Sequence, residues 1–251
     1  MSFAHERGVQ FGKATLVPSP FESEMLNLAT FRLDLTLAED VPVSQLLADV
    51  LQAARRAGAR LVTCRSPEQN RRALSSLQAS GFRVIECMIT LGQDLAGCTT
   101  PPQHGVRLAK REEADEVGAI AAATFRTDRF HADPMIRNDA ADRLKAAWAR
   151  NSVAGRADAV FVTEADGQIT GFNACMLRND AAVIDLIGVK PAFQGRRIGH
   201  ALVNASLLHY IGKAARMIVG TQSANTASLR LYQSCGFRIE SSALTLHAHL
   251  D

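Results

Sequence analysis

Aromatic residues are scarce, at 6% of 251 positions, with one tryptophan and two tyrosines. That disfavours an all-β sandwich. The abundance of alanine and leucine, in a chain that is 47% hydrophobic, points instead to helices packed on a sheet. Cysteine is sparse too: Cys64, Cys87, Cys98, Cys175 and Cys235 are scattered, with no CxxC and no histidine pair at ligand spacing. This argues against a disulfide framework and against a metal site, so buried reduced thiols and no metal are expected. The opening MSFAHERGVQFGKATLV lacks a long apolar stretch, and no run approaches membrane-spanning length. The expectation is a cytoplasmic protein with no signal peptide and no membrane partner. The formal charge is only +3 and no basic run occurs, which speaks against a nucleic-acid partner and suits a small anionic ligand. Neither a GK[ST] phosphate loop nor a GxGxxG fingerprint is present.

What the chain does contain is a copy of itself. Residues 61–91 and 216–246 align without gaps at an offset of 155, as Gly81 and Gly236 show. The identities are Asn70/Asn225, Leu74/Leu229, Gln78/Gln233, Gly81/Gly236, Phe82/Phe237, Arg83/Arg238, Thr90/Thr245 and Leu91/Leu246. Both copies read as an apolar run, a polar turn ending in Asn, a helix, Gly-Phe and an extended run. Asn before a helix is an N-cap signal, and glycine after it suits a left-handed C-terminal residue. A further helix precedes each copy, over Leu46–Gly58 and His200–Gly212. Between the copies, Ala96–Gly105 reads as a linker. The expected domains are 1–97, a linker at 98–105, and 106–251.

The second part predicts a strand at Val106–Leu108, helices at Arg111–Phe125 and Asn138–Arg150, and strands at Ala159–Glu164 and Gln168–Leu177 joined at Asp166-Gly167. A strand at Ala182–Val189 follows. The order is β-α-α-β-β-β-α-β-α-β, a mixed sheet with helices on its faces.

The segment from Val189 to Leu202, VKPAFQGRRIGHAL, carries the chemistry. A strand feeds a glycine-containing basic turn, which feeds a helix. Backbone N–H groups and the positive helix end then point at one spot, glycine allows close approach, and Arg196 and Arg197 add charge. Such a turn suits a phosphate or pyrophosphate; a plain capped turn is the alternative. The first copy reads Leu37-Ala-Glu-Asp-Val-Pro-Val-Ser44 ahead of its helix, with two carboxylates and no glycine. It should repel a pyrophosphate.

This stretch resembles the acyl-CoA motif of the GNAT superfamily, [QR]xxGxG/A after a strand. Gln194, Gly199 and the strand Leu186–Val189 match, while Arg197 stands where the family usually has glycine. A side chain at that point needs an acceptable backbone angle or must swing outward. Asn225, Leu231-Tyr232 and Gly236-Phe237 follow at the family's distances. Phe125–Pro134 and Gly220–Gly236 are similar to the TDP-fucosamine acetyltransferase family, whose members acetylate a nucleotide-linked amino sugar and carry an N-terminal half-copy of the fold. The resemblance implies an α/β (α+β) GNAT fold with a mixed, mostly antiparallel sheet flanked by helices, preceded by a degenerate half-GNAT domain. It implies acetyl-CoA as cosubstrate, held by Ile187, Gly188, Val189, Gln194, Gly195, Arg196, Arg197, Ile198, Gly199, His200 and Asn225.

The implied reaction is direct attack of an amine on the thioester, with a backbone N–H of Ile187–Val189 at the oxyanion. Tyr232 is the candidate proton donor to the leaving thiolate; a ring packed in the core is the alternative. Its mate in the first copy is Leu77, so packing alone is satisfied by an apolar residue. Asp185 is a candidate acceptor of the amine proton, set against an Asp bonded within the sheet. Asn225 serves as helix cap, CoA contact or both. Arg129, Phe130, His131 and Asp133 form a polar loop between helices, and together with Arg126 they fit acceptor binding, with Arg129 as the anion contact. His200, His209, His247 and His249 read as surface residues, His200 also through its place in the turn. Other acceptors (an aminoglycoside, a polyamine, a peptide N-terminus) and a silent acyl-CoA-binding domain remain open. A homodimer is compatible with the sequence.

Overall fold

The computed structural model describes residues 9–11, 14–35, 43–100 and 105–251. The chain start, most of the Leu37–Ser44 turn and positions 101–104 of the linker lie outside the described residues. The rest divides into two compact units. The first holds the described residues up to Met88, with Ala132–Ile136 and Ser242–Asp251; the second holds Ile89–His131 and Arg137–Ser241. This differs from a single cut at 98–105, and strand pairing is the reason: the last strand ends in the first unit, where Ala243–His249 pairs antiparallel with Leu61–Pro67.

The first unit is built from β1 (Val9–Phe11), β2 (Ala14–Pro18), α1 (Pro20–Leu26), β3 (Thr30–Leu35), α2 (Val43–Arg56), β4 (Leu61–Pro67), α3 (Arg71–Ala79) and the start of β5 (Arg83–Asp94). β1, β2 and β3 form an antiparallel meander, and β3 joins β4 in parallel through α2. Leu47, Val50, Leu51 and Ala54 recur at helical spacing on α2 and are buried with Leu16, Leu33, Val62 and Leu77 in one core.

The second unit runs β6 (Val106–Leu108), α4 (Ala114–Thr124), the short α5 (Arg129–Ala132, whose last residue falls in the first unit), α6 (Asn138–Asn151), β7 (Ala159–Ala165), β8 (Gln168–Arg178), β9 (Ala181–Val189), α7 (Ile198–Tyr210), β10 (Arg216–Gln222), α8 (Thr226–Ser234) and the start of β11 (Arg238–His249). β6 to β9 are antiparallel neighbours in chain order, and β9 pairs with β10 in parallel. Asp166 and Gly167 take φ of 51° and 72°, the left-handed pair that a tight hairpin demands. One core lies under α7 and α8, and another under α4 and α6. The sheet thus has helices on both faces, in the expected order with one added short helix.

The internal repeat is exact at the level of element bounds. β4, α3 and β5 coincide at an offset of 155 with β10, α8 and β11. Asn70 accepts a hydrogen bond from the Ala73 amide and Asn225 from the Ser228 amide, both at 3.2 Å. Gly81 and Gly236 have φ of 92° and 95°. The amides of Phe82 and Phe237 then donate to the carbonyls of Leu77 and Tyr232, both at 3.0 Å, closing each helix end. The five cysteines are free, with Cys64 and Cys175 buried. No helix among the described residues is long and apolar enough to cross a membrane.

Candidate functional site

β9 and β10 part company within the second unit. They pair over Ala181–Ile184 and Arg216–Val219, yet β9 continues to Val189 and β10 to Gln222. Just beyond the last pair, Asp185 has no partner in the register with β8, a one-residue bulge. The Lys190 amide donates to the Thr170 carbonyl at 2.8 Å. Alternation along an antiparallel pair then turns the backbone groups of Gly188 toward β8 and those of Ile187 and Val189 toward the open side. Gly188 is fixed by crowding: a Cβ there would stand 2.8 Å from Thr124 Oγ1 and 3.0 Å from the Phe172 ring.

The turn after β9 is held by its own atoms. Gln194 Nε2 donates to the Val189 carbonyl at 3.2 Å. Gly195 has φ of 75°, and Arg197 sits at φ 61°, ψ 14° as the N-cap of α7. Arg197 thus meets the backbone condition set by the missing glycine, in a conformation that costs a side-chain-bearing residue about 1 kcal/mol. Its side chain does not cap the helix, and the first turn of α7 has no acidic residue. The leading amides of a 13-residue helix therefore face a concave turn with nothing anionic to satisfy them. Gly199 lets α8 approach, since a Cβ there would lie 3.0 Å from Leu231 Cδ2.

These features line one cavity of about 460 Å³. Every residue expected to hold the cofactor borders it except Arg196. The Arg196 guanidinium lies 5.0 Å over the Phe193 ring and borders a cavity of about 810 Å³ that shares Arg197, Ile198 and His200 as walls. His200 Nε2 is 2.8 Å from Ser234 Oγ, which ties α7 to α8. Asn225 both caps α8 and borders the cavity, so its two roles are compatible.

The two catalytic candidates lie apart from that lining. Tyr232 is 2% exposed in the core, its ring centroid 5.8 Å from that of Phe237, while Ala227, Ser228 and Leu231 supply the α8 wall. Burial pushes its phenol pKa well up, so the group keeps its proton. The Asp185 carboxylate accepts from Arg156 at 2.7 Å, and Arg156 stacks 5.1 Å over Trp148. An acid engaged by an arginine and outside the cavity lining is not placed to take the amine proton; its ion pair fits the bonded, structural alternative.

The acceptor candidates separate in the same way. Arg126 borders the cavity, its Nη1 donating to Asp142 at 2.5 Å and to the carbonyls of Ala122 and Phe125. The expected polar loop is instead the short helix α5, and most of its side chains turn inward. Phe130 is 1% exposed, with the Arg129 guanidinium 4.5 Å over its ring. The His131 side chain, 3% exposed, lies between Asp128 at 2.6 Å and Asp142 at 3.0 Å. Burial opposes a charged ring here, but the hydrogen bonds to Asp128 and Asp142 outweigh it and raise its pKa. Phe130 and His131 therefore build the wall behind Arg126 and do not reach the cavity.

Sequence reasoning passed over Lys145. It is buried, its Nζ 3.5 Å from Asp128 and 5.2 and 5.1 Å from the Phe125 and Trp148 rings. Burial works against the Asp128 charge, but the Lys145 charge and the His131 hydrogen bond hold its pKa down, at about 2. The signal was available: Lys145 falls between Ala141 and Ala149 on the buried face of α6. A second correction concerns His247 and His249, expected at the surface. His247 is buried, and both rings meet the buried Asp133 carboxylate in the first unit, because alternation along β11 turns positions 245, 247 and 249 to one face.

Comparison with known proteins agrees with this geometry. The acetyltransferase (GNAT) family pattern matches residues 121–237. The chain is 32% identical over 149 residues to the spore coat polysaccharide biosynthesis protein SpsD of Bacillus subtilis, covering 59% of this chain and 52% of that protein. It thus spans about half the length of that relative. It is 30% identical over 177 residues to the dTDP-fucosamine acetyltransferase of Escherichia coli, covering 69% of this chain and 75% of that protein. A GCN5-related N-acetyltransferase from Kribbella flavida shares the fold with a TM-score of 0.68, at 15% identity over 96% of this chain and 89% of that one. The splayed strands, the uncapped turn and these likenesses together show that the chain belongs to the acetyltransferase (GNAT) family, whose members are N-acetyltransferases that use acetyl-CoA as cosubstrate.

Proposed function

We propose that the chain transfers the acetyl group of acetyl-CoA to the primary amine of a small acceptor, a nucleotide-linked amino sugar. The observation that carries this reading is the gap between β9 and β10 ending at the bare amides of α7. The coenzyme's pyrophosphate lies against the amides after Arg197, and its thioester arm enters beside Ile187–Val189. The amine nitrogen attacks the carbonyl carbon, and a backbone N–H of Ile187 or Val189 stabilises the oxyanion. The C–S bond breaks, the thiolate takes a proton, and the amine gives one up to water, leaving an amide and free CoA.

Tyr232 is the proton donor in this scheme. It follows Ser228 by four residues and so lies on the same face of α8 as that cavity residue, one turn deeper. Burial keeps the phenol in the protonated form that a donor requires. Arg126, on the opposite wall, is the anion contact for the acceptor. The names of the two curated relatives, one acting on dTDP-fucosamine and one in polysaccharide biosynthesis, favour an amino-sugar acceptor. The first unit we read as a degenerate half-copy of the catalytic fold, supported by the coincident bounds and caps of β4–α3–β5.

The test is thiol release from acetyl-CoA with a TDP-linked amino sugar, an aminoglycoside, a polyamine and a peptide amine, beside calorimetry with acetyl-CoA alone. Release confined to the nucleotide sugar is expected. Release with another amine alone would change the acceptor class. Binding without release from any amine would make the chain a silent acyl-CoA module.

A further inference from the structure

The first unit carries a second constellation, remote in sequence from the coenzyme turn. His247 and His249, a histidine pair that sequence reasoning did not count as ligands, stand two apart on β11, so both imidazoles leave the same face of the strand. His247 Nδ1 and His249 Nε2 each lie 2.7 Å from one oxygen, Asp133 Oδ2. The other oxygen, Oδ1, accepts the Met135 amide at 3.0 Å, which fixes the carboxylate with Oδ2 aimed at both rings. The three donor atoms all lie within 4.8 Å of one another. The His247 side chain is fully covered, Asp133 is 2% exposed and His249 17%, and the cluster opens on a cavity of about 160 Å³. Arg83 and Asp251 on the cavity wall cancel in charge.

We propose that Asp133, His247 and His249 form a binding site for one divalent transition-metal ion of the zinc class. Two imidazoles and one carboxylate are a borderline donor set, suited to zinc, cobalt or nickel and poor for calcium or magnesium. Three protein ligands leave a fourth position, which faces the small cavity. The carboxylate supplies the charge. On binding, Nδ1 of His247 and Nε2 of His249 offer their lone pairs, and their protons reside on the opposite ring nitrogens. Donors around a tetrahedral zinc ion with bonds near 2.0–2.1 Å stand on the order of 3.3 Å apart, so each ring backs away from Asp133 by roughly half an ångström.

The test uses the whole chain, stripped with a chelator. Cobalt(II) should give a visible d–d absorption that saturates at one equivalent, without a thiolate charge-transfer band. Zinc at about a hundred times its Kd should raise Tm by roughly 5–10 °C. His249→Gln keeps an N–H for Asp133 and should lose both effects while holding its metal-free Tm. If that variant does not fold, the wild-type spectrum decides. No stoichiometric band and no Tm shift would overturn the proposal. So would a thiolate band, which places the ion on a cysteine, or unchanged binding by a folded His249→Gln protein.

Discussion

The same strand–turn–helix–strand occurs twice in this chain, and the helix of one copy borders the cavity of about 460 Å³ while the helix of the other packs into a core. Asn70 and Asn225 cap α3 and α8 with the same bond length, and Gly81 and Gly236 end them with φ within 3° of each other. The backbone therefore does not distinguish the copies. Side chains do. Where the first copy has Ala73 and Leu77, both buried in apolar surroundings, the second has Ser228 at the cavity and Tyr232 behind it. The lesson is that capping and packing account for what the copies share, and chemistry for where they diverge.

The sharpest way to break this contrast is Tyr232→Phe. If the hydroxyl is surplus to packing, the variant keeps its acetyl-CoA affinity and its Tm to within a degree or two. Its turnover should fall by about 10²–10⁴, the usual span for loss of a positioned acid. Steady-state kinetics with a responsive amine read this directly. Unchanged turnover would make Tyr232 another Leu77.

A smaller effect is expected at Asp128, whose buried pair with Lys145 belongs to the second unit. Its folded-state pKa, about 2, lies below the unfolded value. The stability it contributes is therefore present above the unfolded pKa and lost as pH falls through about 2. The shift corresponds to about 2 kcal/mol. Asp128→Asn should lower stability at neutral pH by about that amount and flatten the decline between pH 4 and 2, as followed by urea unfolding. An unaltered acid limb would show that Lys145 does not hold this carboxylate.

The two asparagines sharpen the comparison further. Asn70→Ala and Asn225→Ala should each cost about 1 kcal/mol of stability, because both remove a cap bond. Calorimetry should then separate them. Acetyl-CoA binding should weaken for Asn225→Ala and not for Asn70→Ala, since of the two Asn225 alone borders the cavity. Equal effects on binding would mean that the cap is all that either residue provides.

Much of the cavity was legible because its parts are neighbours along the chain. Ile187 to His200 is one strand–turn–helix, and a left-handed turn with an uncapped helix can be recognised from local residues. The repeat was legible for the same reason. What the sequence concealed depends on partners far away. Asp185 was readable as a bonded acid, but its partner Arg156 was not, and Asp133 meets histidines more than 110 positions later. Phe130 and His131 read as polar loop because α5 is four residues long, too short for a hydrophobic period to declare itself. Lys145 was readable from its place between Ala141 and Ala149, but a charge on a buried face implies a partner without naming it.

The smallest expected effect is at Arg197, and it bears on how the turn holds an anion. Glycine there would accept φ of 61° without strain, recovering about 1 kcal/mol, but it would also loosen the unfolded chain by a similar amount. The two terms oppose, so Arg197→Gly should leave Tm nearly unchanged. If the amides of α7 carry the coenzyme's phosphates, its acetyl-CoA affinity should fall by no more than about fivefold, the share of one partly solvated charge. That loss should shrink further at high salt, because screening removes the guanidinium's contribution and leaves the short amide contacts. Calorimetry at two ionic strengths measures both. A loss near a hundredfold that persists in salt would mean that the side chain grips the phosphates, and that this family's glycine has been replaced here by a working ligand.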